Sequence, residues 1–369
     1  MKINKLFKKV FGSMKHELYT KLFAILSLAA SEKDYLENLT NHSDAIHKHL
    51  NKVDIIDFEE YLQDYFKQFL KYLRKKTSWD KITIAFDETY IPFYGKISDN
   101  WVNGYNNKIK GATGTYKFMV CSIIIAKKRF VLSILPMHNN QNATKTVMTM
   151  LDAVRKYFRI DTVLFDRGFC EKKLCRDLEL KGLKYLILGK RFANIQKFMK
   201  SRKTEVVVQT TINENKTKNQ FNWRFVFAYE QFGYDWAFAT NLQMSSISLV
   251  KLYKCRWGIE TNFRVMDFAD IKSKSKNIVT RCFLFLISAV LFNSWLELKK
   301  DVTFETYLDA LSLANQSLEE IALKRINAKK LLGEEITDAD LLISSKNKSI
   351  STKECLNPTW FRYFEIGVA

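Results

Sequence analysis

The sequence predicts a mixed α/β fold, a mixed sheet covered by helices, and three observations carry that expectation. Apolar residues recur at helical spacing up to about residue 78 and change to strand periodicity from Lys81. Between residues 81 and 191 the strand and helix patterns follow in the order β, β, β, α, β, α, β. Apolar residues make up 47% and aromatic residues 14% of the 369, enough to bury the core that such a sheet needs.

Taken in chain order, residues 1–78 read as a helical region. FEEYLQDYFKQFLKYLRKK (58–76) sets Tyr61, Tyr65, Phe66, Phe69 and Tyr72 at helical spacing. This region is either a packed bundle or a separate recognition module. KITIAFDETYIPF then reads as a strand entering an acidic turn. KFMVCSIIIA (117–126) and FVLSILPM (130–137) are β-rich runs joined by Lys127, Lys128 and Arg129, which is a hairpin signal. A helix is expected over 144–158, a buried strand over DTVLFDRGF (161–169), a helix with a glycine near its end over 171–182, and a strand over 183–191. Three strands in meander followed by two βα crossovers let the first and fourth strands lie side by side and parallel.

Residues 191–243 have a different texture, polar, aromatic and strand-rich, and read as an antiparallel β insertion. Helix returns over 245–270. The apolar run CFLFLISAVLFNSWLEL (282–298) is interrupted by Ser288, Asn293 and Ser294 and reads as a buried helix, so no membrane partner is expected. The central region thus spans 79–300, and 301–369 forms a C-terminal region, helical to about 345.

The formal charge is +20, which favours a polyanionic partner, nucleic acid first. Half of that excess falls between Lys184 and Lys276, where 17 Lys and Arg face 7 Asp and Glu. A uniform bias toward lysine would not concentrate it there. Six scattered cysteines without a CxxC pair, and an N-terminus with lysines throughout, fit a reduced cytoplasmic compartment. His42, His47 and His49 lack the spacing of a zinc site and read as a solvated loop.

The expected chemistry sits on two strands and one helix. Asp87 follows ITIAF and Asp166 follows DTVLF, so parallel neighbouring strands bring both carboxylates to one sheet edge, where open α/β sheets bind ligands. In YKCRWGIETNFRVMDF (253–268), Tyr253, Arg256 and Glu260 fall along one helical stripe, with Arg264 and Asp267 close to it. Two strand aspartates and a helical glutamate form a hard-oxygen set suited to Mg²⁺, and two such ions support in-line displacement at phosphorus. Asp87, Asp166 and Glu260 are therefore the candidate catalytic and metal-ligating residues. Arg256 and Arg264 are candidates for flanking phosphates, and Tyr253 for a phosphate or a base.

At this point the chain resembles insertion-sequence transposases of the DDE class, with an RNase H-like core. The helix is similar to the group signature Tyr-x2-Arg-x3-Glu-x6-Lys through Tyr253, Arg256 and Glu260 in LYKCRWGIETNFR. Asp87 in IAFDETY and Asp166 in LFDRGF match the two aspartates. ATNL (239–242) and the apolar helix with Asn293 and Trp295 look like the flanks, so the likeness covers about 80–300. It implies a five-stranded RNase H-like sheet, two Mg²⁺ ions (or Mn²⁺ in their place), cleavage of double-stranded DNA at element ends, strand transfer into target DNA, a homodimer on DNA, and residence at the nucleoid. It also implies base stacking by an insertion tryptophan, Trp223 or Trp236, for which burial in a sheet face is the other reading. The last signature position falls on Asp267 rather than a basic residue, leaving Arg264, or Lys272, Lys274 and Lys276, to meet the terminal phosphate. Two other readings fit the same residues: a two-metal nuclease that cuts without joining, and an impaired DNA-binding derivative.

Overall fold

In the computed structural model, residues 10, 16–39, 43–78, 81–97, 100–104, 110–125, 128–214, 217–298 and 302–313 are described; for 16–21, 24, 43, 45, 214, 217 and 257–264 the description covers the backbone alone. They form two compact units, one drawn from Met1–Tyr65 and Val265–Ala369, the other Phe66–Arg264. The expected C-terminal helix beyond residue 313 lies outside the described residues.

Four helices come first: α1 (His16–Glu32), α2 (Leu36–Leu39), α3 (Ser43–Leu50) and α4 (Ile55–Lys76). The residues His47 and His49 fall in α3 rather than in a loop, and His47 Nε2 lies 3.1 Å from Glu37 Oε1. In α4 the residues Phe58, Leu62, Tyr65, Phe69 and Leu73 are buried, as their spacing predicts.

The sheet of the second unit has nine strands among the described residues: β1 (Lys81–Phe93), β2 (Val102–Gly104), β3 (Gly114–Ile125), β4 (Lys128–Met137), β5 (Arg159–Phe165), β6 (Tyr185–Leu188), β7 (Glu205–Glu214), β8 (Thr217–Gln231) and β9 (Tyr234–Thr240). Between them lie α5 (Ala143–Arg155), α6 (Lys172–Leu180) and α7 (Ala193–Lys200). The strand order is β2-β3-β1-β5-β6-β9-β8-β7, with β4 paired to β3. Strands β1, β5 and β6 are mutually parallel and their neighbours antiparallel, so the sheet is mixed as expected.

The β-rich insertion extends the five-stranded core. Leu186, Ile187 and Leu188 of β6 pair with Thr240, Ala239 and Phe238 of β9, which closes an edge that would otherwise expose unpaired backbone groups. Strand β1 does not end at Asp87. It runs to Phe93, because β3 continues to pair with it through Asp87↔Val120 and on to Phe93↔Gly114.

Helix α6 closes as its sequence suggests. Gly182, at φ +65, lets its own N–H reach Glu179 O and the Leu183 N–H reach Leu178 O, a Schellman cap that turns the chain into β6. Helix α8 (Ser246–Met266) covers one face of the sheet, with Leu249, Val250 and Tyr253 against Ala85, Leu164, Leu186 and Phe238. Helix α9 (Ile278–Leu296) belongs to the first unit; it is long and apolar enough to cross a membrane, and most of it is buried inside the protein.

Candidate active site

The register of β1 and β5 builds the site. Phe86 pairs with Phe165 across the parallel strands. Both rings are fully buried and stacked at 5.4 Å, on one face of the sheet. Side chains alternate along a strand, so the next residues, Asp87 and Asp166, both emerge on the opposite face. Adjacent strands lie about 4.8 Å apart, which makes the carboxylates neighbours. A one-residue slip would turn either aspartate into the phenylalanine layer. Strand β5 stops at Phe165, and a 3₁₀ turn (Arg167–Phe169) leads the chain away and leaves Asp166 at the open edge.

Helix α8 supplies the cation between them. Arg256 Nη1 donates to Asp87 Oδ2 at 3.2 Å, and Nη2 lies 3.6 Å from Asp166 Oδ1. Its Nε donates to the Tyr253 hydroxyl at 3.0 Å, and that hydroxyl donates to Asp166 Oδ1 at 3.3 Å. The Glu88 N–H caps the other Asp87 oxygen, Oδ1, at 2.9 Å. The Arg256 side chain is 2% exposed and Asp87 13%, while Asp166 keeps 42% and faces solvent. Burial raises the Tyr253 hydroxyl above the usual phenol range; the charge of Arg256 opposes this and that of Asp166 adds to it. Tyr253 therefore stays protonated and remains a donor to Asp166.

This geometry departs from the expected role of Tyr253 and Arg256 as surface contacts to phosphate. Both are buried beneath the carboxylates, with Tyr253 packed on Trp236 and Phe238. The spacing placed the pair on one face of the helix. It did not say whether a guanidinium there meets phosphate or carboxylate, since both are bidentate acceptors. Trp223 and Trp236 are also in the interior. Trp223 packs 4.8 Å from Phe225, and the Trp236 Nε1 donates to Gln231 O at 2.8 Å, so neither ring is presented to a base.

Glu260 lies on α8 seven residues beyond Tyr253, and Arg264 on the last turn; their side chains lie outside the described residues. Asp267 is not on the α-helix. Helix α8 ends at Met266 and Asp267 opens a 3₁₀ turn, so the last position of the signature leaves the stripe on which it was expected. Lys272 sits in the other unit, its backbone bridged to Tyr35 and its side chain exposed.

Among the described residues no group of three His, Cys, Asp or Glu side chains gathers as a metal site. The pair Asp87 and Asp166 nonetheless fits a divalent cation. Both are hard oxygen donors, Asp166 is open to solvent, and one guanidinium against two carboxylates leaves a net negative charge.

A mixed sheet with two carboxylates at the edge of its parallel strands, covered by a helix that holds them, defines a phosphoryl-transfer enzyme of the RNase H-like class. The family model described as "Transposase DDE domain" matches residues 78–292, more than half of the chain, and the chain belongs to that family. It is a DNA transposase, whose reaction is DNA cleavage and strand transfer with a divalent metal ion. Among solved structures, the chain resembles a piggyBac transposase synaptic complex with hairpin DNA (TM-score 0.53, 13% identity, covering 96% of this chain and 84% of that one). The Drosophila P element transposase strand transfer complex is a fainter match (TM-score 0.24, 12% identity, covering 80% and 64%). No curated protein matches the chain.

Proposed function

We propose that the chain is the transposase of an insertion sequence, that it cuts double-stranded DNA at the element's ends and that it joins the freed 3′-hydroxyl to target DNA. The observation that carries this reading is the juxtaposition of Asp87 and Asp166, each the residue after the Phe86–Phe165 pair of two parallel strands, tied together by Arg256 and Tyr253 from the helix that also bears Glu260. Asp87 and Asp166, with Glu260 completing the set, would hold two Mg²⁺ ions, or Mn²⁺ in their place. Metal bound there would supply activation of the attacking oxygen and charge stabilisation of the leaving one.

The chain's own residues set the geometry. Arg256 and Tyr253 act as positioning residues: they fix the rotamers of both aspartates before DNA arrives, so little ordering is left for the reaction itself. Tyr253 keeps its proton and shares no part of the proton transfer. Arg264 and Lys272 meet DNA phosphates. Residues 1–78 recognise the element end, 79–300 carry the reaction, and 301–369 form the C-terminal region. The protein works as a homodimer on DNA, in the cytoplasm at the nucleoid, without a membrane.

Cleavage of the element's own end sequence with Mg²⁺, wild type against Glu260→Gln, tests this. Loss of cleavage with DNA binding retained is expected; equal cleavage by the two proteins would refute the assignment. Specific cleavage with no joined product would instead favour a nuclease.

A further inference from the structure

At the opposite end of β5 from Asp166 lies a cleft of about 650 Å³ lined by Arg74, Arg155, Lys156 and Arg159, with Tyr157 and Gly182 at its walls. Among the described residues no carboxylate lines it. Arg155 and Lys156 close α5, and Arg159 opens β5, so three cations fall within five residues at one corner of the sheet. Arg74 joins them from α4, its guanidinium over the Phe158 ring at 5.9 Å. All four are exposed, and among the described residues Arg155, Lys156 and Arg159 make no ion pair.

Three cations without an ion pair, gathered within five residues, repel each other unless an anion compensates them. A protein that placed them only for solubility would intersperse acidic groups, as it does nearby with Lys181 and Asp152. The cleft is open, so a long polyanion can enter and leave along it. Asp166 stands seven residues along the strand from Arg159, about 23 Å at strand rise, which is too far for a phosphate held at the carboxylates to be the one held here.

We propose that this cleft is a second DNA site, which grips the phosphodiester backbone of duplex DNA away from the reacting carboxylates; the proposal rests on the reading of the chain as a DNA transposase. The contacts are to phosphate alone, so they add affinity and position without reading sequence.

The test measures binding of a duplex of about 40 base pairs, lacking the element's ends, in metal-free buffer over a range of salt, for wild type and for Arg155→Glu/Arg159→Glu. The control is Lys197→Glu/Lys200→Glu, which changes net charge equally on exposed residues of α7. Loss of two phosphate contacts lowers the slope of log K against log salt by about 1.8 and weakens binding roughly tenfold or more at 0.1 M salt. The control stays within about twofold of wild type by the same salt analysis. The milder pair Arg155→Gln/Arg159→Gln gives a smaller loss in the same direction and covers the case in which the reversals disturb folding. A loss no larger than the control's overturns the proposal. So does tripolyphosphate that binds wild type through Arg155 and Arg159 and is not displaced by duplex DNA, since the site would then serve a small anion. DNA affinity read without metal is independent of cleavage: a cleft defect in a protein that cuts nothing would keep this proposal and refute the transposase assignment, and normal affinity in a variant that still cuts would do the reverse.

Discussion

Replacing Arg256 with methionine deletes a cation from beneath two carboxylates while keeping most of the buried stem. The side chain is 2% exposed and contacts Asp87, Asp166 and the Tyr253 hydroxyl. Breaking a buried ion pair by removing one partner costs about 3–5 kcal/mol. Asp87, at 13% exposure, bears most of that, whereas Asp166, at 42%, is rehydrated and adds roughly nothing. Taking about 3 kcal/mol, and about 2–4 °C per kcal/mol for a unit of this size, Tm falls by about 6–12 °C in metal-free calorimetry. The effect on metal binding has the opposite sign. A unit charge about 5 Å away at an effective dielectric near 20 is worth about 3 kcal/mol against a cation, while re-ordering two freed carboxylates costs only about 1–2 kcal/mol. Charge wins, so Arg256→Met binds Mn²⁺ about tenfold more tightly than wild type, an upper value being set by screening. The same variant should cut DNA more slowly. Arg256→Lys keeps the charge but not the three-way bridge, and should keep wild-type Mn²⁺ affinity with part of the Tm loss. A Tm within about 1 °C of wild type, or weaker Mn²⁺ binding in Arg256→Met, would refute the clamp.

Three other outcomes are expected. Burial acts to raise the Glu37 carboxyl, but hydrogen bonds from Ser273, its own backbone N–H and Lys274, with the charge of His47, bring it below the ordinary value. A lowered folded pKa stabilises above the unfolded value and is lost as pH falls through the folded one, so the stability gap between wild type and Glu37→Gln should close as pH drops below about 4 in denaturant titrations. Gly182→Ala places a Cβ at φ +65 and should cost about 1 kcal/mol, read as a shift in urea midpoint with unchanged slope. Among the described cysteines, Cys255 is exposed, while Cys121, Cys175 and Cys282 are buried and burial pushes Cys170 up to about 11; mass spectrometry after brief alkylation at pH 8 should find the label on Cys255 and not on those four.

The two aspartates were legible because they depend on local pattern and element order. ITIAF and DTVLF read as strands, and the order of crossovers made them parallel neighbours, as the pairing of Phe86 with Phe165 bears out. What was not legible depends on backbone pairing or on contacts between distant segments. The continuation of β1 past Asp87 is set by β3, and nothing in DETYIPF announces it. The joining of β9 to β6 is made by main-chain hydrogen bonds, which leave no mark on side-chain periodicity. Strand β2 has three residues, too few for a period to appear. Trp223 and Trp236 carry the same letters whether stacked in a core or offered to a base, and only the packing of Phe225, Phe238 and Tyr253 decides. The basic cleft unites Arg74 with residues eighty positions later, so no window along the chain contains it.

Mn²⁺ titration followed by electron paramagnetic resonance, on wild type, Asp87→Asn, Asp166→Asn and the double variant, tests most directly whether the neighbouring carboxylates hold one cation together. Shared coordination predicts strong non-additivity: each single change abolishes most of the high-affinity binding, and the double change removes little more. Independent losses that sum in the double variant would mean that the two aspartates serve separate sites, and the account of the centre would fail.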